Sequence, residues 1–496
     1  MYHLLEYLEA SAARFPDKEA FADTGKSITF SQLQTTARAI GTAIARATGP
    51  RRGVAVCMDK GVDAVSAFLG ALYAGCFYCY LDPKSPQARM DAMLGSLNPG
   101  FMVLSDKGPA PAADCPAVPF SQLAETPPDE ALLALRRREH IDLDPAYCSF
   151  TSGSTGTPKG VLVSHRSVID FIDEFTQLFS ITEQDVTACQ SPFDFDVSVK
   201  DIFSGLKTGA KVVLIPKFYF VFLPNLLELL EQHRVTTLIW AVSALCLLSE
   251  RDALSYQAPG FLNKFIFSGE VMPPRHLLYW KEHYPQARFI NVYGPTEITC
   301  NCTYYLVTRR FDADETIPMG KPFANERVLL LDERDHRIDG PGVTGEVCVM
   351  GTALALGYLG APELMSASFV HNPANARWLE PMYRTGDLAR YDENGDLVYV
   401  SRKDLQVKHL GQRIELGDIE AAAHAVAGVE RACCLYDSAR KRIKLYYMGD
   451  LDRRSLKDAL RERLPSYMVP NNTRMLDELP LNKNGKIDRA ALARMR

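Results

Sequence analysis

The sequence predicts an α/β protein: a large N-terminal domain of doubly wound, mostly parallel sheets with a β-rich subdomain, then a small α+β domain at the C-terminal end. Three observations carry this. The 496 residues exceed the usual span of one hydrophobic core, so two or more domains are expected. Between residues 211 and 294, strand-like runs alternate with helical stretches, the pattern of a parallel sheet covered on both faces. From about residue 345 the strands shorten and glycine turns recur, as in Asn394-Gly395-Asp396, which marks the β-rich part.

In order along the chain, Leu4, Leu5 and Leu8 lie at helical spacing within residues 2–14, and 28–30 reads as a short strand. A helix follows over 31–45, a strand over 54–58 and a helix over 63–73. Residues 64–81 carry no charge and are almost long enough to cross a bilayer. Ser66, Gly70, Gly75 and the turn Leu81-Asp82-Pro83 point instead to a buried helix stopping near Gly75, then a buried strand. Residues 109–128, rich in Pro and Ala, read as a surface excursion. Strands are expected at 211–215, 236–242, 264–267 and 288–292, with helices near 224–233, 243–254 and 274–284. After Arg402-Lys403-Asp404 a charged stretch leads to a helix at 419–426 and a compact final unit. The domain boundary is placed at Asp404, giving domains 1–403 and 404–496.

A net charge of −5 argues against a sequence-independent nucleic-acid binder, which needs a basic face. Of the 12 cysteines, only Cys76 and Cys79 form a C-x-x-C pair, inside an apolar run and with no second pair to complete a metal site. No basic segment followed by an apolar run opens the chain. Reduced thiols in a cytoplasmic protein without membrane insertion are expected.

The chemistry centres on residues 150–160, FTSGSTGTPKG, where three glycines and five hydroxyl residues precede and surround Lys159. Glycines let successive backbone N–H groups turn inward as a nest for anionic oxygens, though the composition alone also fits a flexible linker. The kinase and GTPase P-loop pattern does not apply, because Ser or Thr does not follow the Lys. In parallel sheets ligands sit beyond the carboxyl ends of strands. Two such ends carry unusual residues, Ser268-Gly269-Glu270 and Tyr293-Gly294-Pro295-Thr296-Glu297.

Six stretches then match one family in order: FTSGSTGTPKG at 150–160, NVYGPTEIT at 291–299, YRTGDL at 383–388, DLQVKHLGQRIELGDIE at 404–420, LPSYMVP at 464–470 and LPLNKNGKIDR at 479–489. The chain resembles the adenylate-forming superfamily over nearly its whole length. Within it, the amino-acid adenylation domains of nonribosomal peptide synthetases are most similar, the free-standing D-alanine–carrier protein ligases above all. The resemblance implies two steps. A carboxylate attacks the α-phosphate of ATP, giving an acyl-adenylate and pyrophosphate; a phosphopantetheine thiol of a carrier protein then takes the acyl group and releases AMP.

The resemblance also assigns roles. Thr151, Ser152, Gly153, Ser154, Thr155 and Lys159 would hold the β- and γ-phosphates. Glu297 matches a Mg²⁺-binding carboxylate and Thr296 a phosphate-contacting hydroxyl; Mg²⁺ needs only one or two carboxylates beside phosphate oxygens. Tyr293, within the nucleotide-binding run Asn291, Tyr293 and Gly294, matches the ring that stacks on adenine. Asp387 would accept both ribose hydroxyls, and Arg402 would reach the nucleotide, although the usual Gly before it is Ser401 here. A Ser is tolerated there only if the backbone does not need positive φ. Lys486 matches the catalytic Lys that neutralises charge at the α-phosphate, and Asp404 the hinge on which a mobile C-terminal domain reorients.

Phe195-Asp196-Val197-Ser198 aligns with a Phe-Asp-x-Ser whose Asp meets a substrate α-ammonium. A buried carboxylate is costly unless a cation meets it, so the alignment favours an amino acid. Asp196, Val197, Lys200, Trp240 (or Ala241), Ile266, Ser268, Gly269, Val292, Cys300 and Asn301 are the substrate-binding set. Lys200 departs from D-alanine ligases, where an apolar residue is expected, and Ser268 stands near an expected Cys. Lys200 would either pair with a substrate carboxylate or extend to solvent. The substrate is thus D-alanine, a small polar or an acidic amino acid. The chain ends ten residues after Lys486, so a separate carrier protein is expected. An acyl-CoA synthetase using free CoA and a silent nucleotide- or amino-acid-binding regulator are the alternatives.

Overall fold

In the computed structural model, which describes residues 1–107, 111–152, 158–438, 440–481 and 487–495, the chain divides into two compact units. One comprises Met1–Pro83, Leu97–Ser149 and Gly160–Lys403; the other comprises Lys84–Ser96, Phe150–Lys159 and Asp404–Arg496.

The larger unit is built on two predominantly parallel sheets. In the nine-stranded one, Arg288–Tyr293, Lys264–Ser268, Thr237–Ala241, Val186–Cys189, Lys211–Leu214 and Glu19–Ala22 run parallel side by side, with antiparallel strands at both edges. The helices Leu223–Gln232, Val242–Glu250 and Pro274–His283 connect consecutive strands, as the alternating pattern over 211–294 predicts. The central strands are buried on both sides, which is why they read as mostly apolar runs.

Side chains alternate across this sheet. Ile239, Ile266, Ile290 and Val292 join one core, whereas Leu238, Trp240, Phe265, Phe267 and Phe289 join the other.

The second, seven-stranded sheet contains Gly53–Cys57 and Phe77–Leu81 as parallel neighbours. The uncharged stretch 64–81 folds as expected: the helix Val62–Tyr73, almost wholly buried, stops before Gly75, whose φ of 71° only glycine adopts readily, and a buried strand follows. Among the described residues no helix is long and apolar enough to cross a membrane. The region expected as a surface excursion is more ordered than that. Ala117–Pro119 adds a parallel strand beside Phe101–Leu104, and Phe120–Ala124 forms a short helix whose Phe120 and Leu123 are buried. Elements this short leave no periodicity to read.

The β-rich part is a six-stranded antiparallel sheet including Glu326–Leu331, Gly345–Gly351, Pro381–Tyr391 and Leu397–Arg402. In the smaller unit, Val429–Asp437 and Arg442–Gly449 pair antiparallel, Asn472–Met475 adds in parallel, and the helices Leu416–His424 and Arg453–Arg463 share their core.

Candidate active site

The carboxyl ends of Lys264–Ser268 and Arg288–Tyr293 are neighbours in the sheet, so the two unusual strand ends are brought together. From the second of them issues segment 293–301, which turns back so that the Cys302 N–H donates to the Tyr293 carbonyl over 2.8 Å. Gly294 makes that turn possible. A Cβ there would lie 2.4 Å from Asn301 Cα and 2.9 Å from the Cys300 carbonyl oxygen. The turn also holds two consecutive non-glycine residues in the left-handed region, Thr299 at φ 53° and Cys300 at φ 74°. Such conformations cost about 1–3 kcal/mol each and persist only when surroundings enforce them. Here the Thr299 hydroxyl donates to the Ala353 carbonyl over 2.7 Å, and the Cys300 thiol to the Asp196 carbonyl over 3.1 Å.

Glu297 lies in the short 3₁₀ turn Thr296–Ile298 and is wholly buried. The Tyr358 hydroxyl donates to its Oε1 over 2.8 Å, and the Ala355 N–H to its carbonyl over 2.9 Å. Sequence reasoning missed Tyr358, which lies 61 residues away with nothing in the intervening chain to signal the contact.

Asp387, 2% exposed, faces Arg402 across an antiparallel strand pair. Arg402 Nη1 donates to its Oδ1 over 2.8 Å, and the Tyr293 hydroxyl to its Oδ2 over 2.6 Å. Burial, then the neighbouring Asp387 charge, push the Tyr293 phenol well above its ordinary value, so it remains a donor. Each carboxylate oxygen keeps a further lone pair for a ligand. Ser401 lies inside the strand Leu397–Arg402 and is not among the positive-φ residues, so the Ser in place of Gly carries no backbone strain. The Asn291 side-chain amide donates to the Pro318 carbonyl over 2.7 Å.

The expected substrate-binding residues gather with one exception. Asp196 sits buried at the start of the helix Val197–Thr208, with Val197 half-buried beside it. Lys200, one turn on, is 1% exposed; its Nζ donates to Asn301 Oδ1 over 2.8 Å and contacts Ser268 Oγ at 3.4 Å. The alternative in which Lys200 extends to solvent is therefore excluded. Ile266, Val292 and Cys300 belong to the same core, and Gly269, at φ 96°, turns the chain after Ser268. Trp240 is the correction. It lies on the opposite face of the sheet from Ile266, its ring against Phe220 and its Nε1 donating to the Ala188 carbonyl over 2.7 Å. Ala241 is the strand residue that registers with Ser268.

In the smaller unit, Thr151 ends the strand Pro145–Thr151, and its buried Oγ1 has no hydrogen-bond partner among the described residues. The Ser152 hydroxyl donates to the Arg413 carbonyl over 3.0 Å, and Lys159 opens the strand Lys159–Ser164. Gly153, Ser154, Thr155 and Lys486 lie outside the described residues. Asp404 is exposed at the start of the C-terminal segment, its carboxylate accepting from the Gln406 N–H over 3.2 Å.

In parallel α/β sheets ligands bind beyond the carboxyl ends of the strands, which is where Ser268 and Glu297 lie, and comparison with known proteins shows the family. The AMP-binding enzyme family model matches residues 8–359 and that of the AMP-binding enzyme C-terminal domain residues 418–486. The chain belongs to the AMP-binding enzyme family. It is 33% identical over 99% of its length to surfactin synthase subunit 1 of Bacillus subtilis (strain 168), and 34% identical over 98% to tyrocidine synthase 3 of Brevibacillus parabrevis. It spans only 14% and 7% of those proteins. Among solved structures, PA1221, described as a protein containing adenylation and PCP domains, superposes with a TM-score of 0.85 at 28% identity, over 99% of this chain and 84% of that one. IdnL1 does so with a TM-score of 0.83 at 26% identity, over 96% and 99%.

Proposed function

We propose that this protein activates an amino acid as its aminoacyl-adenylate and transfers it to the phosphopantetheine thiol of a carrier protein. The observation that carries the reading is that segment 293–301 ties together three buried carboxylates: Tyr293 bonds Asp387, Glu297 lies within the segment, and Cys300 bonds the backbone of Asp196. Each has a distinct task. Asp387, oriented by Arg402 and Tyr293, takes the ribose hydroxyls of ATP. Asp196 takes the α-ammonium, which supports an amino acid over a plain carboxylic acid.

In the first step an oxygen of the substrate carboxylate bonds to the α-phosphorus, the α–β phosphoanhydride bond breaks, and pyrophosphate leaves. In the second, the thiol sulfur bonds to the acyl carbon, AMP leaves with the anhydride electron pair, and the thiol proton passes to solvent. Positioning and charge stabilisation dominate both. The orphaned Thr151 hydroxyl and the neighbouring Ser152 and Lys159 fit polyphosphate oxygens, and Glu297 supplies the hard oxygen donor that Mg²⁺ prefers. When bound, Mg²⁺ adds positive charge beside the phosphates. Lys486 would neutralise the charge that builds at phosphorus, and Asp404 would serve as the hinge between the two poses. The carrier-protein partner is supported by the adenylation–PCP arrangement of the PA1221 structure.

Amino-acid-dependent ATP–pyrophosphate exchange tests the reading. Lys486→Ala should abolish exchange while sparing thiolation of supplied aminoacyl-adenylate. Exchange with fatty acids alone, or with none of the L-, D- and β-amino acids, would overturn it.

A further inference from the structure

Lys200 is an unusual residue to find where it is. An ammonium desolvated this completely is normally held by a carboxylate, because the cost of stripping its water exceeds what neutral acceptors return. Its Nζ instead meets neutral groups, the Asn301 amide oxygen at 2.8 Å and the Ser268 hydroxyl at 3.4 Å. Among the described residues no carboxylate is bonded to it directly. Burial pushes Asp201 up to about 8, against the pull of Lys60 and Lys200, so at neutral pH most of it is uncharged. Asp196 is charge-coupled to Lys200 but lies outside the set of groups bonded to its Nζ. Burial likewise holds the Cys300 thiol well above its ordinary value, leaving it neutral. Lys200 has the aliphatic length to reach solvent from a surface helix, yet its helix is buried almost throughout, with Ser198 to Leu206 all inside.

We infer that Lys200, braced by Asn301 and Ser268, is the specificity residue for a side-chain carboxylate, so that the amino acid activated is acidic. The inference rests on the amino-acid-activating reading above. Given that reading, the charges match one to one: Asp196 meets the α-ammonium, the α-carboxylate reacts, and the ammonium of Lys200 meets the remaining anion. Asn301 and Ser268 occupy two of its three N–H donors and aim the third. A neutral side chain of the same size would leave that donor and its charge buried and unanswered.

The test is pyrophosphate exchange across aspartate, glutamate, asparagine, glutamine, alanine and serine in both configurations. The expected result is that an acidic amino acid exceeds its own amide by about 100-fold or more in kcat/KM. Lys200→Met should erase that preference. Because a buried Lys→Met change can disturb folding, Asn301→Asp provides a second arm. It places a carboxylate beside Nζ with little change of volume, and it should reduce the acid-over-amide ratio by about 10-fold or more while the melting temperature shows that the protein is folded. Robust exchange with alanine, serine or an amide, but none with aspartate or glutamate, would overturn the inference and leave amino-acid activation standing. An acid preference that survives Asn301→Asp and Lys200→Met would also overturn it. Absence of exchange with every amino acid would remove both readings together.

Discussion

The Tyr293 hydroxyl donates to Asp387 over 2.6 Å and so joins the end of a strand in the nine-stranded sheet to the middle of a strand in the β-rich sheet. The two residues are 94 positions apart, and this bond helps to orient both the phenol and the carboxylate, which Arg402 also holds.

Tyr293→Phe removes that bond without changing the ring. A hydrogen bond to a buried charged group is worth about 1.5–3 kcal/mol, so chemical denaturation should show a loss of that order. The KM for ATP should rise while the KM for the amino acid stays within about twofold, because only one ligand would rest on Asp387. Equal changes in both would argue that Tyr293 merely supports the fold.

Glu297→Gln keeps an oxygen to accept from Tyr358 and removes the charge. The melting temperature should move little, while kcat for exchange should fall by about 100-fold and the Mg²⁺ concentration needed for half-maximal rate should rise. An unchanged Mg²⁺ dependence would refute the metal-binding role.

Gly294→Ala should be disproportionately harmful, since the added carbon meets Asn301 backbone rather than a yielding side chain. A loss of about 1–3 kcal/mol is expected, with impaired exchange. Gly95→Ala is the control: nothing lies within 4 Å of a Cβ there, and the residue is inside the helix Gln87–Leu97, so stability should rise slightly.

Stability should fall as the solution is acidified below about 6.5, the ordinary histidine value. His3, His140 and His165 form a ring cluster with centroids 4.2 to 4.4 Å apart. Burial first, then neighbouring charges, hold His3 and His165 well below 6.5. The Nδ1 atoms of His3 and His165 accept from the Leu5 and Leu4 N–H groups, which requires both to be unprotonated there. The unfolded chain binds these protons near pH 6.5 and the folded one only at lower pH. Stability is therefore present above the unfolded value and lost as pH falls through it. Melting curves from pH 7.5 to 5 should show this loss, and it should be shallower in His3→Asn/His165→Asn, whose amide oxygens accept without titrating.

Much of the larger unit was legible because buried parallel strands announce themselves. Residues 212–215 and 265–267 are apolar throughout, and a helical period follows each run. Asp387 and Glu297 were legible through the motifs around them. What escaped depended on register or on distance. Trp240 and Ala241 are adjacent, and in a strand a shift of one residue moves a side chain to the other face, which sequence alone did not decide. Lys200 was left open between solvent and a partner. The run Ser198-Val199, followed by Ile202-Phe203, was the available clue that no face of its helix is wet. Tyr358 had no such clue, because only folding brings it to Glu297.

The alternation in the nine-stranded sheet has a bearing on how such a protein can diversify. Ile266 and Val292 look toward Asp196 and Lys200's side, while Phe265, Phe267 and Trp240 are committed to the opposite layer. If that first layer meets the substrate as proposed, positions such as Ile266 and Val292 can be exchanged to suit a new guest molecule without disturbing the layer behind them, so a change of selectivity need not be accompanied by a rebuilt scaffold.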